Sequence, residues 1–346
     1  MMKTITALAT AALAVLTCQA QAQEVENFYR GKSIRISVGT SPGGVNDISA
    51  RLLGRFMGKY IPGNPTIVVQ NMPGAGGIVG ANRLANTAAR DGTELTIMER
   101  GVPQFAIAGD KNAKFDPMTL TWIGSISSYA HDAYMFLVMD RHPAKTAADL
   151  YKPGIKAVMG GNRAGSTNIT FAFIARQVLG MNVDVITGYD GASKIALAMQ
   201  TGEVDGQIIG FGSFQAGQRA MWDAKATRPL FVFGRETRHP EMPDVPTGRE
   251  LATNEDARKL IAFAELPFFM ALPIVGPPAL PPERTAALRT AMLETTKDAE
   301  FLSEAKRLEL DISPIGHQEI ERLLREAASA SPDVIARFQK LTTYSQ

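Results

Sequence analysis

The sequence predicts an α/β protein made of two doubly wound lobes. Three observations lead there. Short β-branched runs alternate with stretches of helical spacing along most of the chain, the pattern of βαβ units and mostly parallel sheets. The 346 residues exceed what one hydrophobic core usually serves. Several of the β-rich runs end in glycine-rich turns that open directly into a helical stretch.

Taken in order, strands are expected at 34–38, 66–70, 94–98, 120–126, 134–139, 155–159, 183–187, 204–210 and 229–233. Helical spacing fills 46–59, 77–89, 167–179, 191–201 and 214–224. After F-F-M-A-L (268–272) and the proline-rich P-P-A-L-P-P (277–282) the chain becomes mainly helical, with a long last helix expected from Gly316-His317 to about Phe338. Two inter-element stretches, G-S-I-S-S (124–128) and P-E-M-P-D-V-P-T (240–247), suit passages between lobes. The expected division is 23–124 plus 251–346 for a discontinuous first lobe and 125–250 for the second. No repeat or low-complexity tract interrupts this order.

Residues 1–22 read as a signal peptide. Lys3 precedes an apolar stretch from Ile5 to Leu16, and Ala20-Gln21-Ala22 offers an A-x-A cleavage site. Lipoprotein processing at Cys18 is the rival, but Thr17 stands where such signals carry Gly or Ala. Cys18 is the single cysteine. A mature chain starting after Ala22 has no thiol, hence no disulfide, no cysteine-ligated metal and no thiol nucleophile. Removing Lys3 leaves 35 basic residues against 34 acidic ones, a balance that gives no pull toward nucleic acid or a membrane surface. The compartment implied is the periplasm.

Four glycine turns carry the functional reading. T-S-P-G-G-V-N-D (40–47) follows the first strand, with Asn46 or Asp47 placed to cap the next helix. P-G-A-G-G-I-V-G-A (73–81) follows the second. Gly74, Gly76 and Gly80 loosely mimic a dinucleotide fingerprint, and Glu99 falls where a ribose-binding acid would sit. Val79 occupies the third glycine position, however, so the spacing fails. G-G-N-R-A-G-S-T-N-I (160–169) offers Ser166, Thr167 or Asn168 as a cap and brings Arg163, either a ligand contact or a solvated loop residue. I-I-G-F-G-S-F (208–214) lacks a G-x-S-x-G elbow, which leaves Ser213 a poor nucleophile. Turns of this kind serve tight bends and close packing, or they aim free backbone N–H groups at an anion. His131, His142, His239 and His317 are scattered without metal spacing, and no cofactor motif is present. An exported hydrolase using Ser41 or Ser166 is the enzymatic alternative.

S-P-G-G-x-N-D-x-x-A-R (41–51), V-V-Q-N-M-P-G-A-G-G-I-V-G-A (68–81), R-D-G-T-E-L (90–95) and M-P-D-V-P-T (242–247) resemble the landmarks of the Bug-type extracytoplasmic solute receptors of tripartite tricarboxylate transporters. The resemblance implies a periplasmic-binding-protein fold of the second type, with two lobes, a two-crossing hinge and a small mono- or dicarboxylate bound between them. It implies a monomeric receptor, not an enzyme, with no cofactor and no nucleic acid, that delivers its ligand to membrane permease subunits. A sensory receptor of the same fold is the other alternative. The first-lobe contacts carried over are Thr40, Ser41, Pro42, Gly43, Gly44 and Asp47, then Gly74, Ala75 and Gly76, then Glu99, Arg100 and Gly101. The second-lobe contacts are Ala164, Gly165, Ser166 and Thr167, then Tyr189 and Asp190, then Phe211 and Gly212. The family's Pro-Asp-Gly-Tyr is here Arg90-Asp91-Gly92-Thr93, its Ser-His is Asn168-Ile169, and its V-P-Y-x-G is T-G-Y-D-G (187–191).

Overall fold

A computed structural model describes residues 23–40, 42–162, 166–189 and 191–343. In chain order the elements are α1 (23–29), β1 (Ser33–Val38), α2 (Val45–Phe56), β2 (Thr66–Asn71), α3 (Ile78–Thr87), β3 (Glu94–Ile97), α4 (Val102–Ile107), β4 (Thr121–Ser125), β5 (Tyr134–Met139), β6 (Ala157–Gly160), α5 (Thr167–Gln177), β7 (Val183–Ile186), α6 (Ala192–Thr201), β8 (Gly206–Gly210), α7 (Phe211–Gly217), α8 (Arg219–Asp223) and β9 (Thr227–Phe233). They continue with α9 (Gly248–Leu251), α10 (Glu255–Phe269), β10 (Pro273–Gly276), α11 (Pro282–Thr295), α12 (Ala299–Arg307), β11 (Ile315–Gly316), α13 (His317–Ala328) and α14 (Pro332–Thr343).

The chain forms two compact units. The first runs up to Ser128 and resumes over Met270–Arg325; the second is Tyr129–Phe269 together with the chain from Glu326 onward. The first unit's sheet has the order β11-β4-β10-β3-β1-β2 and the second's β7-β6-β8-β5-β9. β1 is parallel to both β2 and β3, because α2 and α3 supply the crossovers that parallel pairing needs. β10 instead runs antiparallel to β3 and β4. It is reached only after the long excursion Tyr129–Phe269 through the second unit, so no single βαβ crossover from β3 or β4 sets its direction. β6 is parallel to β7 and β8, whereas β5 is antiparallel to β8 and β9. Both sheets are therefore mixed, where mostly parallel sheets were expected.

The period-2 pattern of β1 buries Ile34, Ile36 and Val38, and α2 adds Leu52, Leu53 and Phe56 to the same core. Each such side chain, fully removed from water, contributes about 2 kcal/mol. In the second unit Met135, Leu137, Ile195, Met199, Phe214 and Val232 form the corresponding core.

The division departs from the expected boundaries at the C-terminal end. Residues 251–269 and 326–343 group with the second unit, because α10 is anchored there. Glu265 on α10 accepts from the Gly234 N–H at 2.9 Å and from Arg249 Nε at 2.6 Å. Phe268 packs its ring 4.6 Å from Tyr134, and Phe263 meets Phe338 of α14 at 5.0 Å. The expected long last helix is two helices: Pro332 opens α14 and the Val334 N–H finds Ser331 Oγ at 3.3 Å. Proline cannot donate into a preceding helix and favours a first helical position. The helix expected over 214–224 also divides, at Gln218, which leaves helical geometry (φ −135°, ψ 32°). There its amide oxygen takes Gln207 Nε2 at 2.8 Å inside the core.

Candidate functional site

In the first unit, β3, β1 and β2 are neighbours and run in one direction. Their C-terminal ends therefore lie at one end of the sheet, where open α/β sheets bind ligands. Three loops leave from that end: 39–44, 72–77 and 98–101. They pack closely on one another. A Cβ placed on Gly39 would stand 2.9 Å from Gly77 Cα, and one placed on Gly77 would stand 2.9 Å from Glu99 Cβ. Gly77 also has φ +95°, so glycine is required there twice, by conformation and by space.

Asp47 holds this arrangement together. It is 3% exposed and takes four donors. The Gly43 N–H reaches Oδ2 at 2.9 Å and Arg51 Nε reaches the same oxygen at 3.1 Å. Asn71 Nδ2 and Arg51 Nη2 each reach Oδ1 at 2.9 Å. A carboxylate has about four acceptor positions, so Asp47 is full. Hydrogen bonding from Arg51, helped by the Gly43 amide and Asn71, holds its carboxyl down at about 2 despite burial. It therefore organises the loop, with its carboxylate oxygens already engaged by the protein. Nor does it cap α2 as a first residue: the N-cap is Gly44, which displaces both Asn46 and Asp47 from that role. Asn46 instead donates to Glu99 Oε2 at 3.1 Å, tying the first loop to the third. Asn71 also donates to the Thr40 carbonyl at 3.1 Å.

What the loops leave open is backbone. Gly44 gives α2 no side-chain cap, and the first N–H groups of a helix have no intrahelical acceptor; at α3 the turn before the helix takes the Gly77 and Ile78 N–H groups on Gly74 O and Ala75 O. Pro42, Gly43, Gly44, Ala75 and Gly76 are exposed. Gly43 (φ +86°) and Gly76 (φ +62°) have nothing within 4 Å of a built Cβ. Thr40 Oγ1 is buried without a partner among the described residues. Gly74, Glu99, Arg100 and Gly101 are half-buried in the same loops. Side chains close several C-terminal helices, whereas α4, α5, α6, α7 and α8 start without a side-chain cap, as α2 and α3 do. Thr247 and Glu250 form a capping box on α9, Asn254 Oδ1 accepts from the Ala257 N–H in α10, and Asp298 accepts from Glu300 and Phe301 in α12. Only α11, which opens on Pro281-Pro282, shares the lack of a cap among these C-terminal helices.

The second unit repeats the topology with a different outcome. β7, β6 and β8 are adjacent and parallel, and loops leave their ends at 161, 187 and 211. Their donors are largely spent within the protein. The Gly161 N–H donates to Ile186 O at 2.8 Å, that of Gly188 to Asn162 O at 2.6 Å, and that of Tyr189 to Gly161 O at 3.3 Å. Ser166 Oγ donates to Asn168 Oδ1 at 2.6 Å, that oxygen also takes the Ile169 N–H at 2.9 Å, and Asn168 Nδ2 donates to Asn162 Oδ1 at 2.7 Å. The Tyr189 hydroxyl donates to Glu203 at 2.7 Å; burial, then this carboxylate, pushes the phenol up to about 12. Thr167 is half-buried as the first residue of α5.

The turn after β8 departs furthest from expectation. Phe211 is 3% exposed and packs against Trp222 and His239 at 5.3 and 4.8 Å. The Gly212 N–H is taken by Asp132 Oδ1 at 3.1 Å. Both residues are thus engaged within the protein itself. Of the other expected residues, Ser41, Arg163, Ala164, Gly165 and Asp190 lie outside the described residues, as do 1–22.

Sequence reasoning missed the roles of Asn71 and Asp132 and gave Asn46 a capping role in place of its bond to Glu99. Arg51 alone among the organising partners had a visible signal, its i+4 spacing from Asp47 on α2.

Parallel strands whose ends feed glycine turns and uncapped helices, in two separate units, define the fold of periplasmic solute-binding receptors. A TctC solute-binding protein from Polaromonas matches 89% of this chain and 99% of its own at a TM-score of 0.70 and 17% identity. MatC from Rhodopseudomonas palustris, solved with bound malate, matches 90% and 99% at a TM-score of 0.50 and 21% identity. A Cupriavidus necator protein, described as "UPF0065 protein in gbd 5'region", is 29% identical over 250 residues, 71% of each chain. The family described as tripartite tricarboxylate transporter family receptor matches residues 51–339, and the chain belongs to it.

Proposed function

We propose that this receptor binds a small carboxylate on the open amides of the β1, β2 and β3 loops and delivers it to the permease of a tripartite tricarboxylate-type transporter. The observation that carries the reading is the meeting of three loops at one end of the first unit's parallel strands, with Pro42, Gly43, Gly44, Ala75 and Gly76 exposed and Asp47, Asn71 and Asn46 bracing them. Each helix start presents about half a positive charge. A charge-assisted hydrogen bond contributes roughly 1.5–3 kcal/mol net, so a few of them reach micromolar affinity, about −8 kcal/mol, after ordering costs. Thr40, Pro42, Gly43, Gly44, Gly74, Ala75, Gly76 and Gly101 form this surface, with Glu99 and Arg100 at its edge, and Ser41 remains a candidate outside the described residues. Ser166, Thr167, Arg163 to Gly165 and Asp190 are the second-unit candidates. The malate bound by MatC supports a carboxylate class.

Export by a signal peptide cut near Ala22 and action as a periplasmic monomer belong to the same reading. So does the absence of turnover: Ser166 Oγ is bonded to an amide oxygen, not to a base, which favours a receptor over a hydrolase. The test is calorimetric titration of the mature protein, from residue 23, with a panel of mono-, di- and tricarboxylates. Micromolar binding of at least one acid, recovered unaltered by mass spectrometry after hours, supports the proposal. Heatless titrations across the panel, or a converted ligand, overturn it.

A further inference from the structure

We infer that Gln23, once freed by signal cleavage, closes to a pyroglutamyl ring, so that the mature receptor carries a blocked amino terminus. The inference rests on the reading of cleavage after Ala22 and adds a modification site to it. Two observations carry it. The first is chemical. Ala20-Gln21-Ala22 is followed by Gln23, so the cut makes a glutamine the first residue. In the reaction the α-amine nitrogen of Gln23 attacks Cδ of its own side chain. A C–N bond forms and closes a five-membered lactam. The Cδ–Nε2 bond breaks, and that nitrogen leaves as ammonia, taking one of the amine's protons. Nothing is oxidised or reduced, and no co-reactant is needed. The terminal positive charge is lost.

The second observation is where the first unit puts that residue. Gln23 opens α1 and is exposed. Its carboxamide nitrogen donates to Asn27 Oδ1 at 3.3 Å, a long bond at the surface that water readily replaces. The helix behind it is pinned. Val25 and Tyr29 are buried, and the Tyr29 hydroxyl donates to Gly92 O at 3.2 Å. The Phe28 ring centroid has Lys32 Nζ at 3.6 Å and Arg284 Cζ at 3.5 Å. The 61–64 turn closes on the same helix: a Cβ built on Gly63 would stand 2.5 Å from Glu26 O. Termini tied down in this way stay ordered. Ring closure does not ask α1 to unwind, because it uses atoms of Gln23 alone, and the first turn of a helix accepts the similar ring of proline. Aminopeptidases need a free α-amine and a loose chain behind it. The docked helix withholds the second, and the ring withholds the first.

The experiment is tandem mass spectrometry of the N-terminal peptide from the full chain, exported and processed by a bacterial host, before and after prolonged incubation at neutral pH. The expected peptide begins at residue 23 and lacks the mass of one ammonia, with the loss located on that residue. Its share should grow on incubation until it is the main species. An amine-reactive label should then leave the native α-terminus unmarked. In Gln23→Ala the same boundary should appear with a free, labelled amine. A peptide that begins at Gln23 and keeps its free amine after incubation overturns the inference, as does an ammonia loss located on another residue; either leaves the cleavage reading standing. A peptide beginning at any other residue removes both.

Discussion

The two units build the same local structure, three adjacent parallel strands with glycine turns, and use it differently. In the first, the turns are braced from behind by side chains: Asp47 accepts from Gly43 and Asn71, and Asn46 reaches Glu99. The start of α2 has no side-chain cap, whereas α3 is entered through a tight turn in which Gly74 O and Ala75 O take the Gly77 and Ile78 N–H groups. In the second, backbone and side-chain acceptors close the turns on themselves, from the Gly188 N–H on Asn162 O to the Gly212 N–H on Asp132. A glycine turn at a strand end is thus not yet a binding site. The deciding feature is whether another part of the chain has already supplied the acceptor.

The strongest way to break this comparison is Asp47→Ala. It leaves the Gly43 N–H, Arg51 and Asn71 without their shared acceptor, at a cost of about 3 kcal/mol. Urea denaturation should record that loss, and calorimetry should record weakening of carboxylate binding by tenfold or more. Unchanged affinity would show that the first-unit loops do not form the site.

A matched glycine pair comes next. Gly161→Ala places a Cβ 1.8 Å from Ile169 Cδ1, overpacking that should lower stability by about 1–3 kcal/mol. Gly76→Val points into open space; its left-handed φ costs about 1–2 kcal/mol, and the added side chain should reduce affinity at least tenfold. If Gly161→Ala spared stability, or Gly76→Val spared affinity, the two turns would be alike after all.

Acidity should separate the units as well. Glu265 in the second unit is fully buried, and burial pushes its carboxyl up to about 7 against the pull of Arg249 and the Gly234 N–H, with Glu236 beside Arg249 adding a small push upward. Raised above its unfolded value, it contributes stability that is complete below about 4.5 and lost as pH rises through about 7. Asp47 is lowered, so its contribution is present above about 3.8 and lost as pH falls through about 2. Thermal melts from pH 4.5 to 8 should decline with pH in the native chain and flatten in Glu265→Gln. The smallest expected effect is that of Asn168→Ala, which removes the bonds to Ser166, Ile169 and Asn162. It should cost about 1 kcal/mol and change affinity less than threefold.

Much of the fold was legible in the sequence. The β-branched runs placed β1, β2 and β5 within a residue or two, because alternation and burial coincide there. β10 was not foreseen as a strand: P-I-V-G is short and begins with a proline, and its antiparallel seat depends on partners more than a hundred residues earlier. The break at Pro332 was readable from Ser331-Pro332 and was passed over for a longer helical period. At the site, the loops were legible and their bookkeeping was not. Nothing near Gly212 in the sequence announces Asp132, and nothing near Gly43 announces Asn71, because those partnerships exist only once the strands are paired.

The contact between Gly39 and Gly77 has a kinetic consequence. Two main chains that touch without side chains between them cannot slide or breathe independently, so an arriving anion meets a mould already cast. Little disorder has to be surrendered on capture, and the lifetime of the complex, more than the speed of encounter, should vary from one acid to the next.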